Sequence, residues 1–262
     1  MYTDQKYNWE GRDTRATEAK KHVAKMDAEF GKEIAYSVAK TELFDEAKAG
    51  NTGRARETMV RIVDTDAVSA IFSLSSGKTA VLNFASFHSP GGKFLEGSRA
   101  QEECLCHEST LYNVLREFNG VFYGLNKSTT HLYENRALYS PEIVFIHKGP
   151  TDVAAKKRYC DVITCAAPNK RAAMSYQHIS EAQNSAALIS RVNFVLDIAE
   201  EKGVDTLILG AYGCGVFGQD PVEVAGIFKN CLSNRDFRRA IFAIPNSANG
   251  NLMAFKRKFE EE

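Results

Sequence analysis

Ala80-Val81-Leu82-Asn83-Phe84-Ala85 is the stretch on which the fold turns. Five of its six residues are apolar. The run is too short for a helix and too continuous for a strand with one wetted face, so it reads as a strand buried on both sides of a sheet. Behind it comes Ser86-Phe87-His88-Ser89-Pro90-Gly91-Gly92-Lys93-Phe94-Leu95-Glu96-Gly97, a loop by its Pro and Gly content. A helix is expected from about Arg99 to Phe118. Strand, loop and helix in this order are the repeating unit of an α/β sheet.

The pattern recurs in both directions from this unit. Residues 59–63, 143–146, 162–166, 206–209 and 240–244 read as further strands, giving six. Residues 66–74 read as a short helix. Ser180 opens a long one, with Gln183 completing a capping box and Gly203 as its stop. Asp220-Pro221 opens another, with Pro at the first helical position, and Leu252, Phe255 and Phe259 mark the last. Near the N-terminus Ala16, Ala19, Val23, Met26 and Phe30 fall three and four apart on one helical face, and Gly31 is the expected stop. Residues 1–53 are therefore expected to be a helical extension packed on a core of residues 54–262. Helices interleaved with six strands predict a sheet covered on both faces.

Composition narrows the class. In 262 residues, 33 Lys and Arg balance 33 Asp and Glu, so the formal net charge is zero. A stable nucleic-acid partner held by phosphate neutralisation calls for a basic excess, and there is none. An anionic ligand must then be held by local geometry. The start, Met1-Tyr2-Thr3-Asp4-Gln5-Lys6, has no basic segment followed by an apolar run, and no stretch reaches the ~18 apolar residues of a membrane span. The six cysteines read as reduced thiols of a cytoplasmic protein.

Two segments carry chemistry. Leu209-Gly210-Ala211-Tyr212-Gly213-Cys214-Gly215-Val216-Phe217-Gly218 lies between a strand and a helix. Four glycines in nine residues exceed the need of a tight turn, which is the alternative reading. They allow successive backbone N–H groups to converge on an anion at a helix start, a diphosphate site by design. Gly213, Gly215 and Gly218 also match Gly-x-Gly-x-x-Gly. A dinucleotide fold needs an acidic residue at the end of the next strand, and here that strand ends in Ile244-Pro245-Asn246. No Gly-Lys-Ser/Thr ends the loop, which excludes a P-loop.

The second segment is Gln101-Glu102-Glu103. Ser98 and Gln101 have capping-box spacing, which puts all three residues in a first helical turn. Consecutive helical residues point about 100° apart, so the two carboxyls cannot flank one bond as those of ordinary glycosidases do. One can face a ligand while the other bonds a neighbour. Acidic residues also simply complement a helix N-terminus, and the local sequence does not separate the two readings.

Val81-Leu82-Asn83-Phe84-Ala85-Ser86, then Pro90-Gly91-Gly92, then Gln101-Glu102-Glu103, resembles the signature of bacterial-type poly(ADP-ribose) glycohydrolases. Tyr139-Ser140-Pro141, Asp161-Val162-Ile163-Thr164, Ala167-Pro168-Asn169 and the loop from Gly210 to Gly218 extend the likeness, in order, over roughly residues 34–259. The resemblance implies a macrodomain-like three-layer α/β/α sandwich, with a central mixed sheet of about six strands and an N-terminal helical extension. It implies hydrolysis of ribose–ribose O-glycosidic bonds with release of ADP-ribose, without metal or cofactor, by a monomer. It makes Glu103 the general acid that protonates the departing ribose oxygen and then activates water, and Glu102 a holder of ribose hydroxyls. Substrate contacts fall to Ser86, Gly91, Gly92, Lys93 and Gln101, and to Gly213, Cys214, Gly215, Val216 and Phe217, with Phe217 against the terminal ribose. There are two departures: Lys93 stands in place of a third glycine, and Gln219 in place of an asparagine. Lys93 either crowds the ribose or offers a cation to a phosphate.

Other clusters carry less. Cys104-Leu105-Cys106-His107 is too tightly spaced on a helix for one tetrahedral ion. His88 reads as a loop histidine, and Trp9 carries no signal. The competing function is a non-catalytic reader of ADP-ribose. The Gln-Glu-Glu triplet favours the enzyme, because a pure binder has no need of a carboxylic acid beside a glycosidic oxygen.

Overall fold

The protein is seen in a computed structural model that describes residues 9–47, 57–124, 130–147, 156–247 and 249–260; the N-terminal hexapeptide lies outside these, as do residues 48–53 of the expected extension. The strands in chain order are β1 (Glu42–Phe44), β2 (Met59–Val63), β3 (Thr79–Phe84), β4 (Ala137–His147), β5 (Lys156–Cys165), β6 (Thr206–Leu209) and β7 (Arg239–Ala243). They form one mixed sheet in the order β1-β4-β5-β3-β6-β7-β2. The apolar run that opened the reading is its middle strand. β3 pairs in parallel with β5 on one side and β6 on the other, and β7 and β2 continue the parallel set. β4 runs antiparallel to β5, and β1 antiparallel to β4.

Alternate residues of β3 face opposite cores. Ala80 and Leu82 join Leu188, Val192 and Val195 of α6 (Glu181–Glu201), Val224 and Phe228 of α7 (Pro221–Leu232) and Phe255 of α8 (Asn251–Glu260). Val81 joins Met26 of α1 (Trp9–Lys40), Ile71 of α2 (Ala67–Leu74), Leu105 of α3 (Gln101–His107) and Val114 of α4 (Leu111–Leu115). Three layers result from burying a sheet that is apolar on both faces. Among the described residues no helix is long and apolar enough to cross a membrane.

The structure departs from expectation in five places. The sheet has seven strands, because Glu42–Phe44, inside the expected extension, adds an edge. The first helix does not stop at Gly31. It kinks at Phe30 and runs on to Lys40, with Ile34 buried and Ser37 Oγ donating to the Pro141 carbonyl at 2.8 Å. The helix from Arg99 to Phe118 is broken: residues 108–110 turn to pair with β4, Thr110 N–H donating to Val144 and Ile146 N–H to Glu108. The Ser98–Gln101 capping box is absent. Ala100 occupies the N-cap without a side-chain bond, because the Gln101 amide is engaged elsewhere. Finally, α5 (Lys170–Gln177), capped by Asn169, went unread.

Candidate active site

The chain passes from β5, beside β3 on one side, to β6 on the other. Ligands of open α/β sheets bind at such a reversal, beyond the carboxyl ends of the strands. Both glycine-bearing loops leave from that end. β6 pairs with β3 only as far as Val81. Past it, the Gln101 amide takes the place of a strand: Nε2 donates to the Leu82 carbonyl at 2.9 Å and Oε1 accepts from Phe84 N–H at 2.9 Å. This anchor seats the first turn of α3 against the end of β3, and with it both glutamates.

Glu102 is buried and held at both oxygens. Oε1 accepts from Asn83 Nδ2 at 3.1 Å and Oε2 from Ser86 N–H at 2.7 Å. Burial pushes its carboxyl up to about 8. The bonds donated by Ser86, Asn83 and Gly91 pull the other way without offsetting it, and the neighbouring Glu103 charge adds to the rise. Glu103 is buried beside it, with Oε1 accepting from Lys93 N–H at 3.0 Å. Its Oε2 is shielded from water and has no partner among the described residues. Of the four carboxyl oxygens, this is the one without a hydrogen-bond donor. Asn83, which bonds Glu102 through Nδ2, likewise has its Oδ1 buried without a partner among the described residues.

Gly92 explains why the loop carries glycine here. Its φ is +59°, and a Cβ would lie 2.8 Å from Glu103 Oε1 and 3.0 Å from Glu102 Oε2. Both carboxyls close on the same backbone. Gly91, at φ +65°, is confined by the Tyr112 ring. Lys93 has φ −107°, a conformation open to any residue, so a third glycine is not required. Its side chain is two-thirds exposed, with the ammonium 3.9 Å from Glu96. The Ser86 hydroxyl accepts from the N–H groups of His88 and Ser89, holding the loop's first turn.

The second loop, residues 210–218, faces the same end of the sheet. Gly213 has φ +76° and packs on Gln219 and Ala167. Gln219 is buried and braces the loop, Nε2 donating to the Pro168 carbonyl and to Asn184 Oδ1, both at 2.8 Å. The loop's internal bonds engage the N–H groups of Tyr212, Cys214, Gly218 and Gln219. Among the described residues none engages those of Gly215, Val216 or Phe217, and Gly215 and Val216 are exposed. Three consecutive unengaged N–H groups make an anion cradle. Burial pushes the Cys214 thiol up to about 12, so it is not a thiolate.

Aromatic rings span the two loops. Tyr133, at φ +58°, stacks on Phe87 at 4.2 Å and meets Phe217 edge-on at 6.2 Å. Its neighbours are fixed by Arg191, which is fully buried and bonds Asn135 and the carbonyls of Leu132 and Ala166. Asn83, Phe87, Tyr133 and Arg191 were not singled out from sequence. The sequence signal available for Asn83 is a polar residue inside an apolar strand; nothing local marks the other three.

The family model described as microbial-type PARG, catalytic domain, matches residues 13–148, just over half of the chain. The comparison with curated proteins gives no match. Among solved structures, the chain is similar to the poly(ADP-ribose) glycohydrolase of Thermomonospora curvata, at 27% identity over 95% of this chain and 100% of that one, with a TM-score of 0.84. The same enzyme bound to the inhibitor ADP-HPD gives 27% over 95% and 100%, at 0.82. The Deinococcus radiodurans enzyme in complex with ADP-ribose gives 28% over 87% and 97%, at 0.77. A family match that runs from the first helix through both carboxyls, together with a shared architecture over nearly the whole length, makes this chain a member of the microbial-type poly(ADP-ribose) glycohydrolase catalytic-domain family.

Proposed function

We propose that the chain hydrolyses the ribose–ribose O-glycosidic bonds of poly(ADP-ribose), or of a related ADP-ribosyl conjugate, and releases ADP-ribose. The observation that carries this reading is the division of labour between the two carboxyls. Glu102 has both oxygens tied to protein donors, whereas Glu103 keeps one buried oxygen without a partner. In this reading Glu103 protonates the departing ribose oxygen, then takes a proton from the water that attacks the anomeric carbon. Glu102, fixed by Asn83 and Ser86, orients the ribose hydroxyls. The N–H groups of Gly215, Val216 and Phe217 receive the diphosphate, and the Phe217 ring, steadied by Tyr133, closes on the terminal ribose.

In this reading α1, within the extension 1–53, packs on the catalytic core 54–262, Arg15 donating to the Gly97 carbonyl on the loop that leads to Glu103, while β1 of the same stretch joins the core sheet. A cytoplasmic location fits the six cysteines, all of them free.

The test is incubation with poly(ADP-ribose), followed by chromatography for free ADP-ribose. Glu103→Gln keeps the acceptor for Lys93 N–H but has no acidic proton. It should lower turnover ~10²–10⁴-fold while retaining ADP-ribose affinity. ADP-ribose binding without release by the unaltered protein would return the chain to the reader class.

A further inference from the structure

Lys93 brings to the Glu103 loop a cation that the chemistry above leaves unused. Its backbone N–H bonds Glu103 at 3.0 Å, so it sits at the scissile end of the cleft, whereas the diphosphate cradle lies on a different loop. Its ammonium is exposed and loosely held: it is 3.9 Å from Glu96 Oε2, the oxygen that Arg12 of α1 already contacts at 3.1 Å. Arg15 of α1 lies alongside, its Nε on the Gly97 carbonyl at 2.8 Å. Two cations, Lys93 and Arg12, thus share the Glu96 carboxylate, and a third, Arg15, is bonded to the next residue of the same loop, in a chain of zero net charge. Departing from the scissile bond is the 2′-oxygen of an adenosine ribose, which carries its own phosphates a few bonds away.

We propose that Lys93, with Arg12 and Arg15 of α1 beside it, forms a rim that binds the phosphates of the leaving group, the poly(ADP-ribose) chain that remains after the terminal unit departs. The inference rests on the hydrolytic reading above and deepens it. It assigns the cation to the leaving polymer rather than to the ADP-ribose in the cleft. It also gives the N-terminal helix a place in substrate selection.

Binding to the Glu103→Gln protein tests this without turnover. Two ligands are compared by calorimetry: ADP-ribose, and its dimer joined by the ribose–ribose bond. The dimer should bind more tightly at low salt by about two- to fivefold, the worth of one exposed ion pair. Added salt should shrink the difference. Adding Lys93→Met should bring the ratio toward one, and Lys93→Glu should carry it below one. Lys93 is exposed, so neither change threatens folding. Equal affinities for the two ligands before Lys93 is changed, or a dimer advantage that Lys93→Met leaves undiminished, would overturn the rim and leave the ADP-ribose site standing. Failure to bind either ligand would overturn the function itself.

Discussion

Glu102 shows how burial and hydrogen bonding compete within one side chain. Three donors favour its ionised form, yet its carboxyl stands at about 8 because burial outweighs them. A folded-state value above the ordinary 4.5 means that the folded protein holds this proton more tightly than the unfolded chain. Its contribution to stability is therefore fully present below about 4.5. It is lost as pH rises toward about 8, and is constant above that. Glu102→Gln removes this titration. The unfolding free energy of the parent should fall relative to this variant across that window, as measured by denaturant titration at several pH values. A difference that stays flat with pH would show that Glu102 is not held protonated by burial.

At the scale of the element, the loop of residues 210–218 separates glycines that shape the backbone from one that clears space. Gly213 is left-handed, and a Cβ there would stand 2.8 Å from Gln219 Cγ. Gly213→Ala should cost about 1–3 kcal/mol of stability. Gly215 has no positive φ, and a Cβ would meet nothing within 4 Å. Gly215→Ala should leave the melting temperature close to the parent's, yet weaken ADP-ribose about tenfold by standing where the diphosphate approaches. Calorimetry alongside thermal melts separates the two effects. Unchanged affinity in Gly215→Ala would reduce the loop to a turn.

Across the whole molecule, the N-terminal helix is bonded to the loop that holds Glu103. Gly97 has φ +77°, and a Cβ would lie 2.2 Å from the Arg12 carbonyl of α1. The same stretch of loop receives Arg12 and Arg15 and, four residues earlier, supplies the N–H that holds Glu103. Gly97→Ala must push the helix away from the loop. It should lower the melting temperature and also the rate of ADP-ribose release. A variant destabilised by the helix shift but turning over at the parent's rate would show that α1 supports the core without steadying Glu103.

What the sequence determined alone was local. The strand at residues 59–63, the buried run that became β3, and the caps at Ser180 and Asp220 depend on neighbours within a few residues, where periodicity and turn chemistry act. The two loops and the glutamate pair were legible for the same reason, since glycine spacing and a first-turn position are short-range properties. Only the tertiary structure decided the rest. Three residues, Glu42–Phe44, become a strand because β4 offers an edge. Gly31 stays helical because the helix runs on to Ser37, which bonds the Pro141 carbonyl 104 positions away. Gln101 gives up its cap to finish β3, and residues 108–110 give up helix to pair with β4. Asn83 reaches Glu102 across 19 positions, and Arg191 reaches Leu132 across 59. In each case the deciding partner lies far along the chain, and its hydrogen bonds and packing outweigh a local preference worth at most about 1 kcal/mol per residue.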